Sequence, residues 1–194
     1  MILTVAIVIV NPETFVDPRL DTLTPIIRDV FRRTTGDQDS FEVLSVQVAP
    51  LAEEGIRSSV RGLISRNTVD WILVVGGIGF EDHQCTPEVC LWPLKAPFAE
   101  APHSYLVHSR QAINPLIERP ATAVINHILA NAQEPYVIRP SAGTSSHTMI
   151  TSIPSDIVEL RRLLNYFTIS APGFVKLLRL LKNERSTAQD FTRK

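Results

Sequence analysis

The sequence predicts a doubly wound α/β domain with parallel strands, and three observations predict it. The run Ile2 to Val10 is rich in Val and Ile and apolar on both faces, as a central strand covered by helices on each side must be. Strand and helix patterns then alternate from Ile2 to Val75, an order that implies parallel strands joined by right-handed crossovers. The third strand, Trp71 to Val75, runs straight into glycines. Ligands of such sheets sit beyond the carboxyl ends of the strands.

Each element follows from its own periodicity. From Leu20 to Phe31 the apolar positions Leu20, Leu23, Ile26, Ile27, Val30 and Phe31 recur at three and four, giving a helix with one buried face. Phe41 to Val48 reads as the second strand. Leu51 to Ile64 reads as the second helix, with Ile56, Val60, Leu63 and Ile64 on one side. Beyond Thr86, helices are predicted at Pro87 to Leu91, Phe98 to Ile117 and Ala121 to Ala132. Pro93, Pro97, Pro102, Pro115 and Pro120 break up this stretch, since proline cannot supply an interior helical donor. Short strands at Tyr136 to Arg139 and Thr148 to Ile153 flank a turn region, Ser141 to Ser146, rich in Gly, Ser and Thr. A helical pair, Asp156 to Phe167 and Gly173 to Leu181, makes a C-terminal helical segment from about residue 156, and no internal repeat is visible.

Composition narrows the function classes. The 194 residues, 44% hydrophobic and 20% charged, carry no linker-like stretch, so residues 1–194 read as a single domain. A formal charge of -1 argues against nucleic acid, whose phosphate backbone calls for a concentrated excess of Lys and Arg. The basic run Lys176, Arg179, Lys182 and Arg185 is spaced as one solvated helix face. Met1 to Val10 lacks a basic start and is far shorter than the roughly 20 residues of a membrane span, so no membrane partner is expected. Two cysteines, Cys85 and Cys90, make no disulfide framework, and their spacing fits neither the zinc nor the redox CxxC pattern; a reducing cytoplasm is the expected setting.

The chemistry concentrates at Trp71-Ile-Leu-Val-Val-Gly-Gly-Ile-Gly-Phe. Glycine permits positive φ and lets a ligand reach backbone N–H groups with no Cβ in the way. Thr86-Pro87-Glu88 reads as a helix start, with Thr86 as N-cap, Pro87 in the first helical position and Glu88 favourable in the first turn. A glycine loop facing a helix N-terminus suits a phosphate, although the same glycines serve equally to turn the chain. His83, inside the loop, is either a phosphate contact or a solvent-facing residue. His103, Tyr105, His108 and Arg110 lie on one predicted helix, but the i, i+5 spacing of the two histidines does not suit a shared metal. Ser145, Ser146 and His147 lack a nucleophile elbow, which argues against a hydrolase. A place near a helix N-terminus would lower the pKa of Cys85, whereas quiet burial is the commoner outcome for such a thiol.

Strand, GGIG, a six-residue spacer and TPE together resemble the signature of the molybdenum cofactor biosynthesis family that includes MoaB, MogA and the gephyrin G domain, where it reads GGTG, a variable stretch with an Asp, then TPE or TPD. Asp21 and Pro25 fall in the order of the family's D-x-S-G-P segment, with Thr24 in place of Gly. Val48-Ala49-Pro50 falls at its V-x-D turn, Arg139 to Gly143 at S-R-A-x-A-G, and Ser152-Ile153-Pro154-Ser155 at N-L-P-G. The resemblance implies a three-layer α/β/α fold around a mostly parallel sheet, trimers, and binding of molybdopterin, a pterin carrying a dithiolene and a phosphate. In active members it implies adenylyl transfer from Mg-ATP to that phosphate. On that basis Gly76, Gly77, Gly79, Thr86 and Pro87 face the phosphate, Glu88 and Arg139 are further binding candidates, and Asp82 or Asp21 would contribute to catalysis and magnesium; the metal itself is unknown.

Departures qualify the activity. The acid expected two positions before Thr86 is Gln84, and the Asp expected after the second strand is missing from Ala49-Pro50-Leu51. An amide donates to phosphate but is a poor magnesium ligand. Ile78 replaces the Thr of GGTG, and Ser155 the Gly of NLPG. The rival reading is a catalytically inactive member serving as an oligomerisation or scaffolding module; a third is a generic nucleotide-binding protein. The first two separate on whether the space beyond strand three is open and polar or filled by Ile78, Phe80 and Trp92.

Overall fold

A computed structural model of the chain describes residues 1–34, 40–79, 84–90, 116, 119–131 and 141–192. The sequence-derived candidates Asp82, His83, Arg139, Phe80, Trp92, His103, Tyr105, His108 and Arg110 lie outside the described residues. So do the predicted strand Tyr136 to Arg139 and, apart from Leu116, the proline-rich stretch 91–118.

Among the described residues six strands form one sheet in the order β2-β1-β3-β6-β5-β4: β1 (Ile2–Val10), β2 (Ser40–Ala49), β3 (Trp71–Val75), β4 (Arg119–Pro120), β5 (Ser141–Ser145) and β6 (Thr148–Ile153). β2, β1, β3 and β6 run parallel, while β5 is antiparallel to both β6 and β4. Because β1 and β3 are apolar at nearly every position, both sheet faces need cover, and helices supply it. On one face Leu3, Val5, Ile7, Ile9, Trp71, Leu73, Val75 and Met149 pack under α2 (Leu23–Arg33), α6 (Ile157–Asn165) and α7 (Pro172–Thr192). On the other, Ala6, Val8, Val10, Ile72, Val74 and Ile150 pack under α3 (Glu53–Arg66) and the short α4 (Thr86–Cys90). The result is the expected three-layer α/β/α fold with a mostly parallel sheet. The described residues also include helices α1 (Pro12–Val16) and α5 (Thr122–Asn131). No helix among the described residues is long and apolar enough to cross a membrane.

The first crossover helix starts later than its apolar period suggests. Asp21 accepts from the N–H groups of Leu23 (3.0 Å) and Thr24 (2.9 Å), so the helix begins after it and Leu20 lies exposed in a preceding 3-10 turn. The Ser141–Ser145 stretch is a second correction. It reads as a turn but forms buried strand β5, because pairing with β6 satisfies a backbone whose composition alone favours loops. The turn proper is only Ser146 and His147, with Ser146 at φ 52.

A third correction concerns the C-terminus. Helix α6, capped by Asp156, passes through a wide π-type turn, Tyr166–Ser170, into α7, which continues to Thr192 rather than ending at Leu181. Its basic run is not uniformly solvated: Arg185 is buried and Lys182 half-buried, both turned toward Asp70 just before β3. The fully buried Asp70 carboxylate accepts from Arg185, from Lys182 at 3.0 Å, and from the Thr4 N–H (2.7 Å) and hydroxyl (2.8 Å). Arg185 also donates to the carbonyl of Val69, and Lys182 to that of Ile2 at 2.6 Å. A guanidinium enters the interior here because a carboxylate and a carbonyl await it. This network ties the C-terminal helix to the amino end of the sheet.

Candidate functional site

At the opposite end, β3 leaves the sheet between β1 and β6. The Gly76 N–H donates to the carbonyl of Ile153 at 3.0 Å, so β6 still holds the chain at the first residue past the strand. Gly76 then turns at φ 99, where a Cβ would lie 2.5 Å from the Val10 carbonyl oxygen and 3.6 Å from Ser155 Cβ. Gly77 follows at φ 66. A Cβ there would meet the Thr86 hydroxyl oxygen and come within 3.0 Å of both Leu51 and Val10. Both positions therefore demand glycine on conformation and on space. The Thr86 N–H closes the loop onto the Gly77 carbonyl at 3.0 Å. Gly76 to Gly79 is thus ringed by the exits of β1, β2 and β6 and by the start of α4.

Among the described residues the polar inventory of the turn is sparse. Thr86 is fully buried, and its hydroxyl finds no hydrogen-bond partner. It does not act as the N-cap read from sequence: the Val89 N–H donates to the Cys85 carbonyl at 3.0 Å, which starts α4 at Cys85 and frees the Thr86 side chain to face Gly77. Pro87 is buried in the first turn of α4; the backbone of Glu88 belongs to the same helix. The Gly79 N–H donates to the side-chain oxygen of Gln84, whose amide lies where a side chain at Gly79 would be. Ile78, in place of the family's hydroxyl, is buried.

The structure brings Gly76, Gly77, Gly79, Thr86 and Pro87 together. Asp21 lies at the start of a crossover helix following β1, hence at the carboxyl end of the sheet, but one of its carboxylate oxygens caps α2. Among the described residues no group of three or more His, Cys, Asp and Glu side chains is arranged to hold a metal. Ser145, the last residue of β5, and the turn residues Ser146 and His147 fall at the amino end of β6, where His147 Nδ1 stands 3.6 Å from Glu184.

The two thiols sit at the two ends of α4. Both cysteines are buried, and burial pushes the Cys90 thiol up to about 12, only partly opposed by a hydrogen bond with Ser141. Ser141 and Ser152 are buried hydroxyls that the sequence did not mark as a pair. The Ser141 Oγ lies 2.5 Å from Ser152 Oγ, which also accepts the Ser141 N–H at 2.6 Å. The signal was present in the family-like segments that contain both serines, but only the β5–β6 pairing places one against the other.

No protein-family model and no curated protein matches the sequence. Solved structures do match. The molybdopterin biosynthesis enzyme MoaB of Thermus thermophilus superposes with a TM-score of 0.67 at 22% identity, covering 91% of this chain and 96% of its own. A molybdopterin biosynthesis protein of Mycobacterium abscessus gives 0.67 at 20% identity, over 95% of this chain and 98% of its own. The tungsten cofactor synthesizing protein MoaB of Pyrococcus furiosus gives 0.65 at 15% identity, over 94% and 97% respectively. At these identities the shared property is the fold: this chain has the α/β/α fold of the MoaB and MogA proteins.

Proposed function

We propose that the chain is a divergent member of the MoaB/MogA family that binds molybdopterin by its phosphate at the Gly76–Gly79 turn, in molybdenum cofactor biosynthesis. The observation that carries this reading is the pairing of two side-chain-free, positive-φ residues with the buried, unpartnered hydroxyl of Thr86 at the carboxyl end of β3. A buried hydroxyl with no partner costs stability, on the order of 1–3 kcal/mol, so its retention beside residues without side chains favours an anion as its partner. The fold shared with molybdopterin biosynthesis proteins gives the anion its class.

In this reading Gly77 and Gly79 admit the phosphate to the backbone, Thr86 donates to a phosphate oxygen, and Pro87 stiffens the first turn of α4 beneath it. Arg139 and Glu88 remain candidates for the rest of the ligand. Magnesium, when bound, would neutralise polyphosphate charge for adenylyl transfer from ATP. The described acids do not fit that task, since Asp21 caps α2 and Gln84 stands where the family has an acid. Binding is therefore the reading, with Asp82 the acid on which any transfer would rest.

The rival, a catalytically inactive scaffold or oligomerisation module, draws on the burial of Ile78 and on the Gln84 amide lying against the turn. Calorimetric titration with molybdopterin and, separately, Mg-ATP decides between them, with a search for adenylylated product. Pterin binding that weakens about tenfold in Thr86→Val, with folding stability kept or raised by up to about 3 kcal/mol as the orphan hydroxyl is removed, is the expected result. Product formation would extend the reading to an enzyme. Binding of neither ligand leaves the scaffold.

A further inference from the structure

We infer that Gln84 is a resident occupant of the anion cradle, and that a phosphate must displace its side chain to bind. The inference rests on the reading of the glycine turn as a phosphate site. The Gly79 N–H points at the Gln84 oxygen, and the orientation of that amide follows from chemistry: a flipped amide would set its NH2 group, a donor, against another donor. A Cβ on Gly79 would stand 2.8 Å from the Gln84 side-chain carbon and 3.0 Å from its nitrogen. The amide therefore fills the space that the missing side chain leaves, offering a neutral oxygen to a backbone donor that suits a charged one.

Thr86 shows that the substitution is incomplete. Its hydroxyl, buried against Gly77, is left without a partner while the Gly79 donor is satisfied. Gln84 thus takes one donor of the cradle and leaves the other for a ligand. A neutral amide yields to a phosphate oxygen, because a hydrogen bond to a charged acceptor is roughly twice as strong as one to a neutral acceptor. Residue 84 consequently sets how readily this turn accepts anions.

The test uses the full chain labelled with 15N, with inorganic phosphate as probe and the Gly79 amide resonance as reporter. In Gln84→Ala the Gly79 amide should exchange with solvent faster than in the wild type, and phosphate should move its resonance with about tenfold tighter affinity. Unchanged exchange in Gln84→Ala would mean that Gln84 does not guard this donor. Faster exchange with equal or absent phosphate binding would mean that it does not compete; either result overturns the inference. Molybdopterin titrated into both proteins keeps the two ideas apart. Tighter phosphate with no pterin binding removes the proposed function but not the role of Gln84, whereas equal pterin affinities in the two proteins remove that role but not the function.

Discussion

The two ends of one sheet are built on opposite rules. At the amino end the fully buried Asp70 receives Thr4, Lys182 and Arg185, so that charge is brought inside only with its partners. At the carboxyl end side chains are removed: Gly76 and Gly77 take positive φ, Gly79 makes room for an amide, and Thr86 keeps a hydroxyl without a protein partner. The first arrangement satisfies every polar partner named, and the second leaves one hydroxyl unsatisfied. On the proposed reading, stability and binding are segregated to opposite poles, joined through the apolar strands β1 and β3.

Breaking the amino pole should have the largest effect. Asp70→Ala strands a buried guanidinium and should cost about 3–5 kcal/mol in urea unfolding, while leaving any ligand affinity of the remaining folded protein unchanged. A loss under about 1 kcal/mol would mean that the network is solvated and that the contrast between the poles is false.

The carboxyl pole should respond in the reverse sense, with modest instability and a large loss of binding. Gly77→Ala puts a Cβ at φ 66 against Thr86, Leu51 and Val10, and should cost about 2–3 kcal/mol. Gly62→Ala is the control. It lies within α3 with nothing inside 4 Å of its Cβ, and should gain about 0.5–1 kcal/mol in the same assay. Equal effects at the two glycines would deny that the turn is conformationally special.

The smallest effect concerns pH and the thiol at the end of α4. The Cys90 thiol is raised to about 12 from 9.0, so the folded state holds its proton where the unfolded chain has lost it. That contribution is whole below about pH 9 and is lost as pH rises from there toward 12. Between about pH 8 and pH 10.5 the wild type should lose about 1–2 kcal/mol more than Cys90→Ala in urea melts. Parallel losses would place the thiol in contact with water.

Much of this was legible in one dimension. Continuous apolar runs cannot be solvated on either face, so Ile2–Val10 and Trp71–Val75 had to be central strands, and apolar periods placed α2 and α3 on them. Gly76, Gly77 and Gly79 after a buried strand marked the turn, because backbone freedom is a property of the residue itself. Where local chemistry is ambiguous, the reading stopped short. Ser141–Ser145 has the composition of a turn and becomes a strand only because β6 runs beside it. Thr86 looked like a cap until the Cys85 carbonyl proved to start the helix. Lys182 and Arg185 had helix spacing but no visible reason to turn inward, since their acceptor lies more than a hundred residues earlier in the chain. The sequence by itself determined which segments must be buried and where the backbone must be free of side chains. Only the tertiary structure decided which polar groups meet, because a hydrogen bond between distant residues depends on where the fold carries them and not on what either residue is alone.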